Sequence, residues 1–335
     1  MTMVDGYTPL ATHHCETGSM LEIYRHAGST LSEEVLLGLG EGVGFMYWQQ
    51  KGQPPILGGR GGENVAASAG ARTGVRVTTR TTTSARKARA TLLDGLERGT
   101  PVMVQVDMGY LPYFDFGGEE YHFGGHVIVV WGYDRDSDSV LVADRDEELH
   151  RVPFADLERA RSSSHKPFPP KNAWWEFDFS EYREPTPAEL FASLDAQCRA
   201  MLEPPISNFG VKGIGKAADR VPLWPKTMNP EELKAACFTQ YVFISPIGGT
   251  GGGIFRYMFS RYLAECADLT GETELGKLSR AFGTIADRWA GIGEWFREQA
   301  GCANPAARMG EARALLLECR DLEVEAWTKL SKAVS

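Results

Sequence analysis

Apolar and polar positions follow two regimes along this chain. Up to about residue 180, short strand-like and short helical runs interleave; from Pro185 onward helical periodicity takes over. In the first regime Met20-Leu21-Glu22-Ile23-Tyr24 has apolar residues at helical spacing. Thr30-Leu31-Ser32-Glu33 has the form of a capping box, with Thr30 as N-cap and Glu33 reaching back, opening a helix through Leu37 that runs into a glycine-rich stretch from Gly38 to Gly44. Phe45 to Trp48 reads as an aromatic strand, Gly58 to Gly62 as a turn or loop, residues 64–71 as a short helix and residues 75–82 as a β-branched strand. Ala90, Leu92, Leu93 and Leu96 put an apolar stripe on a helix over 84–98, and Pro101 to Val106 follows as a buried strand.

The clearest hairpin pairs Gly125–Tyr133 with Val140–Asp144 through a turn over residues 134–138. Ahead of it lies a loop between Val106 and His122, rich in glycine, aromatics and acids, of the kind that shapes a substrate pocket when carried on a rigid sheet. A helix over 153–160 and a last strand at Trp174–Phe179 complete this half. Helices are then expected over about 187–202, 210–218, 230–240, 254–267, 275–299 and 305–333. The pattern predicts an α+β first domain over residues 1–183, with an antiparallel sheet, and a mostly helical second domain over 184–335.

Composition narrows the function classes. With 335 residues, 24% charged and 43% hydrophobic, the chain is long enough for two ordinary folded domains. No apolar run approaches the roughly 20 residues needed to span a bilayer, and Met1 to His14 lacks the form of a secretory signal, so a cytoplasmic location is expected. The six cysteines are scattered without paired spacing, which predicts reduced thiols and no metal site. A net charge of −9 disfavours nucleic acid as partner. Between residues 72 and 98 the balance reverses: Arg72, Arg76, Arg80, Arg86, Lys87, Arg89 and Arg98 face Asp94 and Glu97, an excess of seven minus two, or +5. Such a stretch is either a solvated helix face or a dock for an acidic protein.

The candidate chemistry starts at Cys15. A cysteine at the N-terminus of a helix meets unpaired backbone N–H groups and the positive end of the dipole, which favour thiolate over thiol. Taken singly, a free cysteine is as a rule a small buried hydrophobe. A partner is found far along the chain: if the hairpin turns about Arg135 or Asp136, His126 and Asp144 come to the same end of the ladder. Opposite side chains there stand about 5 Å apart, close enough for the carboxylate to orient the imidazole. Cys15 as nucleophile, His126 as general base and acid, and Asp144 as orienter would form a triad. A slip in register would promote Asp146 instead.

His14-Cys15-Glu16-Thr17, Leu31-Ser32-Glu33-Glu34 with Gly38-Leu39-Gly40, Val106-Asp107-Met108-Gly109-Tyr110-Leu111-Pro112-Tyr113, and Gly125-His126-Val127-Ile128-Val129-Val130 with Val142-Ala143-Asp144 resemble the N-terminal domain of the butirosin biosynthesis protein H family. The helical half, with Ile247 to Arg256, resembles the uncharacterised domain that commonly follows it, so the two likenesses cover nearly the whole chain. The resemblance implies a papain-like cysteine fold used for acyl transfer. An acyl group leaves a carrier-protein or CoA-type thioester, rests on Cys15 and passes to an amine acceptor in specialised-metabolite biosynthesis, with His126 and Asp144 in the roles above. No glutamine precedes Cys15 as it does in papain-like peptidases, so the oxyanion hole would use the Cys15 amide with another donor, His14 being the candidate.

Tyr110 and Tyr113 are candidates for lining the pocket, and Arg86, Lys87 and Arg89 for docking an acidic acyl carrier protein. The glycine run with Gly251, Gly252 and Arg256 would either cradle the phosphate of the donor's phosphopantetheine or form a tight turn that lets a helix pack closely. Variants of the reading are an acyl-thioester cyclase, a cysteine peptidase or amide hydrolase, and a non-catalytic binding module. The helical half would either cap the site or build a homo-oligomer.

Overall fold

The computed structural model describes residues 1–50, 54–118 and 121–334. It opens with β1 (Thr2–Met3), α1 (Cys15–His26), α2 (Glu33–Leu39), β2 (Val43–Trp48), β3 (Ile56–Arg60) and α3 (Val65–Thr73). There follow β4 (Arg76–Arg80), α4 (Ala85–Glu97), β5 (Val102–Val106), β6 (His126–Asp134), β7 (Ser139–Ala143), β8 (Leu149–Pro153), α5 (Phe154–Ser162) and β9 (Trp174–Asp178). The remainder is helical: α6 (Pro187–Leu202), α7 (Gly210–Arg220), α8 (Pro230–Ile244), α9 (Arg256–Thr270), α10 (Thr273–Gly301) and α11 (Ala312–Ala333). The fold is α+β, as the hydrophobic pattern predicts. Two residues of the expected 107–121 loop, Glu119 and Glu120, lie outside the described residues. Among the described residues no helix is long and apolar enough to cross a membrane.

The chain divides into two compact units, Met1–Leu36 with Thr73–Glu184, and Leu37–Arg72 with the chain from Pro185 onward. This corrects the expectation of a continuous first domain over residues 1–183: residues 37–72 leave it and fold with the helices. The cause lies in the hairpin side chains. Phe45 stacks on Trp289 with ring centroids 5.4 Å apart, the Trp224 indole N–H donates to the Tyr47 hydroxyl at 3.2 Å, and the Leu57 amide donates to Gln240 Oε1 at 2.8 Å. The expected turn over Gly58–Gly62 is also corrected, because Ile56–Arg60 is strand β3. Its glycines answer to packing: a Cβ at Gly59 would lie 2.4 Å from the Ile254 side chain.

In the first unit the sheet runs β4-β9-β5-β6-β7-β8, with β1 also on β6, all antiparallel. Strand β6 is buried from His126 through Tyr133, which is why it reads as one apolar run. Helix α1 packs on β5 and β6. Thr17 through Tyr24 are all buried, so α1 is enclosed around its girth and is not amphipathic. At Gly18 a Cβ would stand 2.2 Å from Thr12 Oγ1, so the chain ahead of Cys15 crosses the helix at a distance only glycine tolerates.

Candidate functional site

Cys15 is the first residue of α1 and is partly exposed. The residue before it is the N-cap: His14 Nδ1 accepts the Thr17 amide at 3.3 Å. The loop leading in is held by Glu33, whose carboxylate accepts the amides of His13 and His14 and the Thr17 hydroxyl, each at 2.8 Å. Burial pushes the Glu33 carboxyl up against those hydrogen bonds. The capping-box reading of Glu33 is therefore replaced. Ser32 Oγ accepts the Val35 amide at 3.1 Å, and Glu33 points instead to the segment that positions Cys15. His14, expected as an oxyanion donor, also caps the helix, with its backbone N–H on Glu33 and its Nδ1 accepting from Thr17.

His126 opens β6, opposite Val106 of β5. Its Nε2 lies 2.7 Å from Asp144 Oδ2, and Cys15 is among the groups that act on its protonation. With Nε2 taken by the carboxylate, the nitrogen left for the sulfur is Nδ1. The register reaches this by a different route from direct opposition. Val129 pairs with Ala143, so one further step would set Asp144 opposite Ile128, two residues from His126 on the same face. The irregularity between Val130 and Gly132 sets that offset. The His126–Asp144 contact is therefore diagonal across the ladder. Asp146, the alternative orienter, is bound to His150 at 2.9 Å.

Electrostatics follow from burial and pairing. Burial alone lowers the His126 pKa, but the charge and hydrogen bond of Asp144, with those of Cys15, outweigh it and raise it to about 9. Asp144 moves the other way: burial raises its carboxyl, and His126, Arg145 and Tyr113 together hold it below the usual carboxylate range.

Tyr113, expected to line the pocket, donates its hydroxyl to Asp144 Oδ2 at 2.9 Å and stacks on His150 at 4.0 Å. Its hydroxyl thus supports the carboxylate. Phe114 meets the His126 ring edge-on at 5.6 Å. Both aromatics come from the loop that Asp107 organises. The fully buried Asp107 carboxylate accepts the Gly109 and Phe123 amides at 3.1 and 3.0 Å, the Ser163 hydroxyl at 2.6 Å, and lies 3.0 Å from His122 Nδ1. The roles of Asp107 and Glu33 escaped the sequence reading because their partners, amides and side chains well separated along the chain, leave no mark in local spacing. Tyr110 belongs to a neighbouring group, its ring 5.2 Å from that of His122 and its hydroxyl 3.5 Å from His165 Nε2.

One expected group of site residues is corrected, and a second is narrowed. Arg256 is fully buried and paired with Glu323 through Nε and Nη2 at 2.7 and 3.1 Å, while its Nη1 donates to the carbonyls of Gly44 and Ile254. The indole N–H groups of Trp289 and Trp327 complete the Glu323 carboxylate. This closed network holds no phosphate, and Gly251, Gly252 and Gly253 serve the backbone, all at positive φ (65°, 81°, 53°). In the basic stretch, Arg72, Arg76, Arg80 and Arg89 are paired with Glu41, Asp178, Glu176 and Asp138. Arg89 also lies 3.8 Å over the Phe154 ring. Arg86 and Lys87 remain exposed.

Cys198, Cys237, Cys266 and Cys319 are buried, and burial pushes their thiols up, the first three to about 12. Cys302 is partly exposed and donates to the Gln299 carbonyl. Among the described residues no three His, Cys, Asp or Glu side chains gather as a metal ion would require.

A family model described as butirosin biosynthesis protein H, N-terminal, matches residues 14–145. A second, described as a domain of unknown function (DUF4872), matches residues 155–330. No curated protein matches the chain. Cys15, His126 and Asp144 all fall within the first match.

Proposed function

The chain belongs to the family in which a butirosin biosynthesis protein H N-terminal domain precedes a DUF4872 domain, and from that premise we propose a cysteine acyltransferase of specialised-metabolite biosynthesis. It would move an acyl group from a carrier-protein thioester through Cys15 to an amine. The observation that supports this reading is the meeting of Cys15, His126 and Asp144 in one unit, on a helix N-terminus and the sheet it packs on. A cysteine opening a buried helix, with its histidine on an antiparallel sheet, is also the layout of papain-like enzymes.

In the first step the Cys15 thiolate attacks the thioester carbonyl. The oxyanion that forms faces the Cys15 amide, which as the first N–H of α1 has no intrahelical partner. The carbon–sulfur bond to the donor breaks, and the departing thiolate takes the proton of the His126 imidazolium. Acylation removes the negative charge at Cys15, one of the causes that raise His126, so the neutral imidazole becomes a base suited to the second step. The amine attacks the acyl-Cys15 carbonyl, His126 takes its proton, the Cys15 sulfur leaves as thiolate, and the ion pair is restored. Asp144, held by Tyr113 and by the Arg145 amide at 2.9 Å, keeps Nδ1 aimed at the sulfur throughout.

Intact mass spectrometry with an acyl-N-acetylcysteamine thioester tests the first step. One acyl mass should be gained, and Cys15→Ala should gain none. His126→Ala should slow acylation by roughly 10²- to 10⁴-fold. An adduct that persists in Cys15→Ala, or maps to Cys302, would sink the proposal.

A further inference from the structure

A groove of about 660 Å³ lies along α7 and α11, lined by Lys212, Lys216, Arg220 and Arg320, with Asp219 the acidic member. Four cations against one carboxylate is +3, in a chain whose net charge is −9. Lys212, Lys216 and Arg220 stand four residues apart on α7, so they form a row about 12 Å long on one side of the helix. Among the described residues none of the three has a carboxylate partner: Lys216 Nζ donates to the neutral Asn208 side chain at 2.7 Å. Asp219 is drawn to Arg313 at 3.4 Å, and Arg320 pairs with the exposed Asp321. Leu223, 39% exposed, adds apolar surface beyond the end of the row.

The spacing decides which anion fits. One phosphate needs cations that converge on a point, and a 12 Å row does not. Single-stranded nucleic acid would match the row, but the lining holds no aromatic ring on which a base could stack. An acidic helix, with carboxylates at the same four-residue spacing, meets every cation in turn. We propose that the α7–α11 groove docks the acidic helix of the carrier protein that brings the acyl thioester, in place of the basic stretch around Arg89. This rests on the acyl-transfer reading, which it deepens by giving the DUF4872 domain a task.

The test uses the full-length protein and one acyl group on two donors, a holo acyl carrier protein and N-acetylcysteamine. With Lys212→Glu, Lys216→Glu and Arg220→Glu combined, KM for the carrier donor should rise by about tenfold or more, with acylation by the small thioester unchanged. Lys212→Gln with Arg220→Gln gives a smaller rise should the triple reversal not fold, and 0.5 M salt should raise the wild-type KM. Arg86→Glu with Lys87→Glu should leave it unmoved. An unchanged carrier KM in the groove variants, or equal loss with both donors, overturns the dock. A wild-type protein acylated by the small thioester and never by the carrier overturns it too. Failure of wild-type Cys15 to take an acyl group from either donor sinks the acyl-transfer reading itself.

Discussion

Glu22, two turns along α1 from Cys15, is buried, and burial raises its carboxyl to about 7 against the Arg25 charge and the nearby Trp131 indole. Together with His126 at about 9, it makes the folded chain hold protons that the unfolded chain releases earlier. For both groups, folding raises the pKa, so stability is present at low pH and lost as pH rises. Glu22 contributes its loss between about 4.5 and 7, and His126 between about 6.5 and 9. Asp144, held low, acts only at more acid pH. The melting temperature should therefore fall from pH 5 to 9, and Glu22→Gln should make the part below pH 7 shallower, the buried Glu33 carboxyl, also pushed up, keeping the remainder. A melting temperature that climbs from pH 5 to 7, or a slope there that Glu22→Gln leaves unchanged, would count against it. At this scale the sequence displays a nucleophile, an imidazole and a carboxylate as residue types. It does not display Tyr113 on Asp144 or Glu33 on the His13 and His14 amides, because a hydrogen bond to a distant group has no local signature.

Among the elements, the glycine run before α9 shows how one motif supports two readings that packing alone can separate. Positive φ at Gly251 through Gly253 continues through Ile254 and Phe255 at 50° and 72°, conformations that side-chain-bearing residues rarely adopt. They deliver Arg256 into a buried pair with Glu323 between two tryptophans. Removing one partner strands the other charge. Arg256→Met should cost roughly 3–5 kcal/mol, read as a lower denaturant midpoint. A variant of wild-type stability with a raised KM for the acyl donor would restore the phosphate-cradle reading. The elements of the first unit were legible where periodicity is strong, as in β6 and α4. Strand β3 was missed because Gly58 and Gly59 mimic a turn, while in fact Gly58 lies against Met46 and Gly59 makes room for Ile254.

For the whole molecule, the transfer of residues 37–72 to the helical unit has a physical consequence. Residues 1–184 expressed alone would expose Phe45, Tyr47 and Leu57, at most 2% accessible in the whole chain. That fragment should bind a hydrophobic dye and aggregate, and the full chain should do neither. A monodisperse, dye-silent fragment would contradict the division. The linear pattern determined the α+β class, the switch to helices after Pro185 and the residue types of the candidate triad, because periodicity and side-chain chemistry are local properties. Only the tertiary structure decided which unit claims residues 37–72, that the His126–Asp144 contact is diagonal, and that Arg256 and Arg89 are internally paired while Lys212, Lys216 and Arg220 are not. Each of those depends on what a side chain meets across a long stretch of chain, and burial and charge pairing are fixed only when the whole is packed.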